Sequence, residues 1–159
     1  MMIEKATRSR RDHTVRRKRK LRLTHFGAAA WRITDGETTL YVDPYFSRLR
    51  TVKVFGTTFP APSDDPRPIY GYDDLLPSDT STIDQHVKDA NFILISHSHF
   101  NHCMDMPYIA KKTGATVIGS ESTANLARAS GVPNRQIVPV KGGEDYEFAT
   151  VSIKVIPSL

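Results

Sequence analysis

Short runs of alternating apolar and polar residues open the folded part of the chain. Leu21-Arg22-Leu23 and Trp31-Arg32-Ile33 alternate, and Asp35-Gly36 gives a tight-turn signal before a third run at 39–42. Side chains two apart on a strand share a face, so each run presents one apolar face. The pattern predicts an antiparallel meander of three strands that packs on one side.

Prolines dominate the next segment, from residue 44 to residue 80. Six of them interrupt it, together with Asp64-Asp65 and Asp73-Asp74. Proline removes a backbone donor and disrupts both helices and central strands. We therefore predict a long loop at about 44–80, with a short ribbon around 52–59. Long ordered loops often cover a functional site.

A continuous apolar run, Phe92-Ile93-Leu94-Ile95, follows this segment. A run without alternation is typical of a strand buried on both faces. Two helices are then predicted, one capped by Asp105 and ending near Gly114, the other beginning at Ser120 and ending before Gly131. Further strands are predicted at 116–118, 137–138, 146–148 and 151–156. The order is mostly β, with two helices in the second half.

The net charge of +5 is concentrated at the start of the chain. Residues 1–22 carry ten Lys and Arg against two acidic residues, whereas residues 23–159 carry twelve against fifteen. Such a run of like charges repels itself, so residues 1–20 are interpreted as a disordered, solubilising tail. Residues 8–22 have the charge to attract nucleic acid or anionic lipid, but no aromatic residues interleave with them, and this alternative is not favoured.

Composition narrows the class of protein. No stretch approaches the roughly 18 apolar residues of a membrane span. Ser9-Arg10-Arg11 is followed by more Arg and Lys, not by the apolar stretch of an export signal. The single cysteine, Cys103, excludes an internal disulfide and favours the cytoplasm as the location. The length suits one domain.

Three histidines fall within six residues, in Ser96-His97-Ser98-His99-Phe100-Asn101-His102. His97 and His99 should project together from the end of the buried strand, and His102 can return to the same space where the chain turns. Imidazole nitrogens are favoured ligands of zinc and similar metals. We therefore predict a metal site rather than a solvated polar loop. No role is assigned to the isolated histidines His13, His25 and His86.

The segment 95–102 resembles the HxHxDH signature of the metallo-β-lactamase superfamily. It is most similar to the branch that includes the UlaG-like lactonases and N-acyl-phosphatidylethanolamine phospholipase D. Thr24-His25-Phe26-Gly27, Leu40-Tyr41-Val42-Asp43-Pro44 and Asp105-Met106-Pro107 also resemble that branch. The resemblance covers residues 21–159.

This resemblance implies an α+β fold, the αββα sandwich, with residues 21–159 forming its N-terminal half. The sheet would be mostly antiparallel or mixed, with helices on one face. One or two metal ions are implied, usually zinc, with iron or manganese as alternatives. A metal-activated water would attack an ester, lactone, amide or phosphodiester bond of a small-molecule or lipid-like substrate.

The resemblance also assigns roles to individual residues. His97 and His99 would bind the first ion, and Asn101 and His102 would bind the second, each with histidines that the superfamily supplies later in the chain. Asp43 is interpreted as a carboxylate that orients a ligating histidine.

Two departures from the superfamily pattern qualify these roles. Asn101 stands where the signature has aspartate and brings no charge, so the second metal site should be weak or empty. The later histidines and a bridging aspartate are not among these 159 residues. We therefore expect the chain by itself to be inactive, and a C-terminal half or a homo-oligomer to complete it. Cys103 should pack in the core rather than ligate.

Two alternatives to a hydrolase stay open. One is a non-catalytic binding or assembly module derived from the same fold. The other is a nucleic-acid-binding protein that uses the basic arm.

Overall fold

The computed structural model describes residues 20–51, 66–71 and 73–157. Nearly all of the predicted basic tail and the ribbon predicted at 52–59 lie outside these residues. The strands are β1 (Arg22–His25), β2 (Trp31–Thr34), β3 (Thr39–Val42), β4 (Arg50–Thr51), β5 (Ile69–Tyr70), β6 (Phe92–Leu94), β7 (Thr116–Gly119), β8 (Ile137–Pro139), β9 (Asp145–Glu147) and β10 (Ser152–Lys154). The helices are α1 (Thr80–His86), α2 (Phe100–Cys103), α3 (Met106–Thr113) and α4 (Glu121–Ala129), with a 3₁₀ turn at Asn134–Gln136.

Six strands form one mixed sheet in the order β1-β2-β3-β6-β7-β8. The first three pair antiparallel, which confirms the predicted meander. From β3 to β8 the neighbours are parallel, and β6 lies between β3 and β7. Parallel pairing brings the carboxyl ends of β3, β6 and β7 to the same edge of the sheet. The segment that follows β6, with its histidines, therefore lies beside the segment that follows β3.

One face of this sheet packs against the helices. Tyr41, Ile93 and Val117 project from β3, β6 and β7 into a core that also holds Ile83 of α1 and Ile109 of α3. All five side chains are almost fully buried. Burial of each large apolar side chain stabilises the fold by about 1.5–3 kcal/mol. The prediction of helices on one face of a mixed sheet is confirmed.

The opposite face is covered by a β-hairpin. Strands β9 and β10 pair antiparallel, and the hairpin contributes Phe148 and Ile153 to a cluster with Leu40, Phe92 and Ile118 of the sheet. The rings of Phe92 and Phe148 lie 4.6 Å apart. The order of layers is therefore helices, sheet and hairpin, which gives one α layer and two β layers.

Helix boundaries agree with the capping signals in most places. Gly114 ends α3 with a positive φ of 78°, and the Ser120 side chain caps α4 by accepting from the Thr123 amide. Helices α1 and α2 are not predicted from the sequence. With seven and four residues, they are too short to show an apolar period.

The segment 44–80 contains some regular structure. Strands β4 and β5 form a two-residue parallel pair within it, and α1 begins at its end. Asp79 starts α1, because its carboxylate accepts from the amide and hydroxyl of Thr82 at 3.0 and 2.6 Å. Among the helices in the described ranges, none has the length and apolar character needed to cross a bilayer.

The first prediction concerns Asp84, which joins α1 to α3. Its carboxylate accepts from Lys112 and from Tyr108, and the hydrogen bond from Lys112 is the main cause that holds the pKa of Asp84 below its ordinary 3.8. A carboxylate with a depressed pKa stabilises the fold above its unfolded pKa, and the effect is lost as pH falls through the folded value. Asp84→Asn should therefore lower the melting temperature at neutral pH but much less at an acidic pH below the folded pKa of Asp84.

Thermal unfolding followed by circular dichroism at the two pH values measures this difference. Asp145→Asn is the matched control, because Asp145 lies exposed on β9. If Asp84→Asn lowered the melting temperature equally at neutral and at acidic pH, the assigned role of the Asp84 carboxylate would be contradicted.

Candidate metal centre

The histidine segment begins where β6 is held on both sides. The Asp43 amide donates to the Leu94 carbonyl at 2.9 Å, and the Ile95 amide donates to the Ile118 carbonyl at 2.9 Å. The strand is therefore fixed up to its last residue, and the following residues leave from the carboxyl edge of the sheet. Open α/β sheets place their binding sites at this edge.

The structure brings the three predicted histidines together. The ring centroid of His97 lies 4.6 Å from that of His99 and 3.9 Å from that of His102. His97 uses Nδ1 toward Ser96 Oγ, at 3.1 Å, and its Nε2 lies 3.1 Å from His99 Nδ1. His97 and His99 lie in the irregular segment between β6 and α2, and the turn into α2 returns His102 to them.

The separation of Nε2 of His97 from Nδ1 of His99 tests whether a metal fits. Two nitrogens bound at about 2.0–2.1 Å to one tetrahedral zinc lie about 3.3 Å apart. The observed 3.1 Å is within about 0.3 Å of that distance. It is also the length of an N–H···N hydrogen bond, so the same arrangement of the two rings suits a hydrogen bond without metal and shared ligation with metal. The pair therefore fits as two donors of one tetrahedral site.

His102 does not join this pair as a third donor in a common position. Its ring packs against His97 with 49° between the planes, and its Nδ1 faces Asp43. Within the described part of the chain, no group of three or more His, Cys, Asp or Glu side chains is arranged to hold a metal ion. The metal roles of His97, His99 and His102 therefore stay predictions.

Asp43 is a buried carboxylate at the centre of the cluster. One oxygen accepts from the Ser96 amide at 2.8 Å, and the other accepts from Ser96 Oγ at 2.7 Å and lies 2.9 Å from His102 Nδ1. A carboxylate on Nδ1 leaves Nε2 as the nitrogen through which His102 can ligate, which is the arrangement that supports metal-binding histidines. Asp43 also has a positive φ of 43°, a backbone conformation that costs energy in a non-glycine residue.

Burial lowers the pKa of His97, and the neighbouring charges of His102 and His99 lower it further. A histidine with a lowered pKa is neutral over more of the physiological range. The neutral form is the one that binds a metal, because its nitrogen lone pair is not occupied by a proton.

Asn101 and Cys103 lie in the single turn of α2. Asn101 is half-buried, and its predicted part in a second metal site stays a prediction. Cys103 is buried in the core, where its Sγ lies 3.3 Å from the Ser98 carbonyl and burial raises the pKa of the thiol. Its predicted role as a core residue is confirmed.

Two isolated histidines pack against aromatic rings instead. His25 stacks on Trp31 with ring centroids 4.4 Å apart, and His86 stacks on Phe46 at 5.5 Å. Neither takes part in the cluster.

Asp105 has a role that the sequence does not reveal. Asp105 occupies the N-cap position of α3, as predicted, but its side chain makes no capping hydrogen bond to the helix. One carboxylate oxygen accepts from the amides of Phe46 and Ser47 at 2.7 and 2.8 Å, and the other accepts from Ser47 Oγ at 2.6 Å. Since these partners lie 58 and 59 residues away, no local pattern could have indicated them.

The comparisons with known proteins bear on this cluster. Residues 22–159 match the profile of a family described as Beta-lactamase superfamily domain. The chain belongs to this family. A metal-dependent hydrolase of the UPF0173 group from Heliobacterium modesticaldum is 28% identical over 133 residues, which are 84% of this chain and 43% of that protein. A second UPF0173 metal-dependent hydrolase, from Staphylococcus aureus strain JH9, is 40% identical over 62 residues, 38% of this chain and 27% of that protein.

Solved structures share the fold at low sequence identity. Igni18, a metallo hydrolase from Ignicoccus hospitalis, matches with a TM-score of 0.55 and 16% identity over 87% of this chain and 48% of its own. CmlA, a diiron β-hydroxylase from Streptomyces venezuelae, matches with a TM-score of 0.56 and 16% identity over 88% of this chain and 24% of its own. The metallo-β-lactamase type of fold is therefore confirmed. The chain spans less than half the length of these relatives.

The second prediction tests Asp105. Asp105→Asn should lower the free energy of unfolding by roughly 2–4 kcal/mol, because the amide cannot accept all three buried hydrogen bonds and adds donors without partners. Urea unfolding measures the loss. Glu121→Gln is the control, because the exposed ion pair of Glu121 with Arg128 should contribute less than about 1 kcal/mol. Equal losses in the two variants would contradict a special role for Asp105.

Proposed function

We propose that this chain carries the first metal ligands of a metal-dependent hydrolase. The observation that supports the proposal most is the 3.1 Å separation of His97 Nε2 from His99 Nδ1, in a chain of the β-lactamase superfamily. The metal would be zinc, with iron or manganese as alternatives. When bound, such an ion activates a water molecule and polarises the scissile bond.

The chain's own residues would prepare the site for that chemistry. His97 and His99 present two nitrogens from the segment between β6 and α2. Asp43 would hold the Nδ1 proton of His102 and direct its Nε2 outward, at the cost of burying one carboxylate that three contacts compensate. Ser96 Oγ contacts His97 Nδ1 and so fixes which nitrogen faces the ion.

A tetrahedral site needs more than these two nitrogens. We infer that the remaining positions are filled by water and by histidines that the superfamily supplies later in the chain, while His102 serves the second ion, so that residues 21–159 act as one half of an αββα sandwich. Asn101 brings a neutral oxygen where the superfamily signature has a carboxylate. The second ion would therefore bind more weakly than the first.

The substrate bond would be an ester, a lactone, an amide or a phosphodiester. Each of these has an electrophilic centre that an activated water attacks, and each develops negative charge that a cation stabilises. The similar relatives are named only as metal-dependent hydrolases. Colorimetric nitrophenyl esters, amides and phosphodiesters, together with a simple lactone, separate these bond types directly.

The third prediction is that the histidine pair is required for metal binding. His97→Ala and His99→Ala should each abolish binding of Zn²⁺, since each removes one of two donors held at ligand spacing. Calorimetric titration of the full chain with Zn²⁺ measures the affinity. Addition of Zn²⁺ after treatment with a chelator should also restore any hydrolysis that the chelator removes.

Two variants serve as controls for this titration. His25→Ala removes an exposed histidine that stacks on Trp31, and Cys103→Ala removes the buried thiol beside His102. Both should bind Zn²⁺ as the unmodified chain does. If His97→Ala bound Zn²⁺ equally well, the proposed site would be wrong. In a longer chain that supplies the later histidines, Zn²⁺ binding without hydrolysis of any of the four bond types would favour a non-catalytic module.

The fourth prediction concerns the second ion. Asn101→Asp should raise the affinity for a second Zn²⁺, because it restores a charged ligand at the signature position. The same calorimetric titration should then show a second binding step at lower Zn²⁺ concentration. An unchanged stoichiometry and an unchanged second affinity would contradict this account of Asn101.

A further inference from the structure

A groove lined by arginines borders the loop that follows β3. It consists of two adjoining pockets, of about 420 and 250 Å³, that share Ser47, Arg48, Arg67 and Asp79 as lining residues. The larger pocket is in the size range of small-molecule sites. His97, His99 and His102 line neither of these two pockets. We call this feature the arginine groove.

Three arginines and one aspartate are among the lining residues of the groove. Arg48 and Arg67 line both pockets, Arg50 lines the smaller one, and the carboxylate of Asp79 is engaged by Thr82. Arg67 is braced by a hydrogen bond of its guanidinium to the Arg48 carbonyl at 3.0 Å.

Arg48 is exposed, and none of the described residues forms a hydrogen bond or ion pair with its guanidinium. The guanidinium lies against Gly27, where a Cβ would come within 2.7 Å of one of its terminal nitrogens. Its donors are available to a ligand in the groove.

The second wall of the groove is aromatic. Phe26 and Phe46 meet edge to face at 5.1 Å, and the His86 ring stacks on Phe46 at 5.5 Å. All three side chains line the larger pocket. The Arg32 guanidinium lies 5.7 Å from the centre of the Phe26 ring and adds a further positive charge behind this wall. A ligand with both an anionic and an apolar part would match the two walls.

The groove is fastened to the residues that follow the histidines. Asp105 binds the amides of Phe46 and Ser47, and Ser78 Oγ donates to the Met104 carbonyl at 3.2 Å. Ser47 and Ser78 belong to the groove lining. The wall of the groove and the turn that carries His102 therefore form one hydrogen-bonded unit.

We propose that the arginine groove binds the phosphate or carboxylate end of a substrate whose remaining part is aromatic or acyl. The Arg48 guanidinium would bind the anionic group with a two-point contact, and Phe26 and Phe46 would cover the apolar part. The role of the groove as the substrate-anchoring site of the hydrolase rests on the proposed function. Its ability to bind such an anion does not depend on that function.

Binding of phenyl phosphate to the full chain, with chelator present and no metal added, tests the proposal. Calorimetry should give saturable binding that Arg48→Gln weakens by about tenfold or more, because a charge-assisted hydrogen bond is lost. Arg48→Lys should recover part of the affinity, since it keeps the positive charge but lacks the two parallel N–H donors of a guanidinium. Arg135→Gln removes an equal charge from an exposed position elsewhere and should change nothing. Circular dichroism confirms that each variant is folded.

Ligand variants separate the two walls. Benzoate should also bind, because it has both an anionic and an aromatic part. Phenol and inorganic phosphate should each bind more weakly than phenyl phosphate, because phenol contacts only the aromatic wall and inorganic phosphate only the arginines. The absence of saturable binding, or equal weakening by Arg48→Gln and Arg135→Gln, would overturn the proposal. Loss of phenyl phosphate binding in His97→Ala would overturn it too, since the ligand would then lie at the histidines. Retained phenyl phosphate binding in a chain that fails to bind Zn²⁺ would support the groove and count against the hydrolase.

Discussion

The arrangement of this chain depends on the parallel pairing of β3 with β6. That pairing places Asp43, the first residue after β3, beside Ser96, the second residue after the end of β6. A buried carboxylate is costly unless hydrogen bonds compensate it, and Asp43 meets that condition through the Ser96 amide and hydroxyl and through His102. A shift of the register would leave both the carboxylate and the imidazole without partners. The pairing of β3 with β6 therefore determines where the Asp43 carboxylate meets His102.

A second buried carboxylate fixes the other end of the same segment. Asp43, the first residue of the segment 43–47, accepts from Ser96, and Asp105 accepts from the amides of the last two residues, Phe46 and Ser47. Asp105 follows His102 by three residues, so both carboxylates connect the loop after β3 with the loop after β6. A site built on segments fixed at both ends needs little rearrangement when a ligand binds, which is the condition for effective electrostatic stabilisation.

The sequence predicts those parts of the structure whose causes are local. The alternation in β1 to β3, the unbroken apolar run of β6 and the signals at Gly114 and Ser120 each depend on neighbouring residues. Helix α1 escapes prediction because its seven residues follow a proline-rich segment and show no apolar period. The side-chain partners of Asp105 could not be predicted for a different reason. A carboxylate before a helix is usually a cap, and here partners 58 and 59 residues away outcompete the local amides.

The spacing of the histidines can be seen in the sequence, but the contact of His102 with Asp43 depends on the fold. The walls of the arginine groove depend on the fold as well. Net charge gives the wrong expectation at that groove, because residues 23–159 carry more acidic than basic side chains. The field that a ligand meets is set by the charges nearest to it, and distant surface charges are screened within about 10 Å at moderate ionic strength. Arg48 and Arg67 face one pocket, whereas the carboxylates of Asp43, Asp79 and Asp105 are occupied by hydrogen-bond donors. An acidic domain can in this way present a groove lined by arginines.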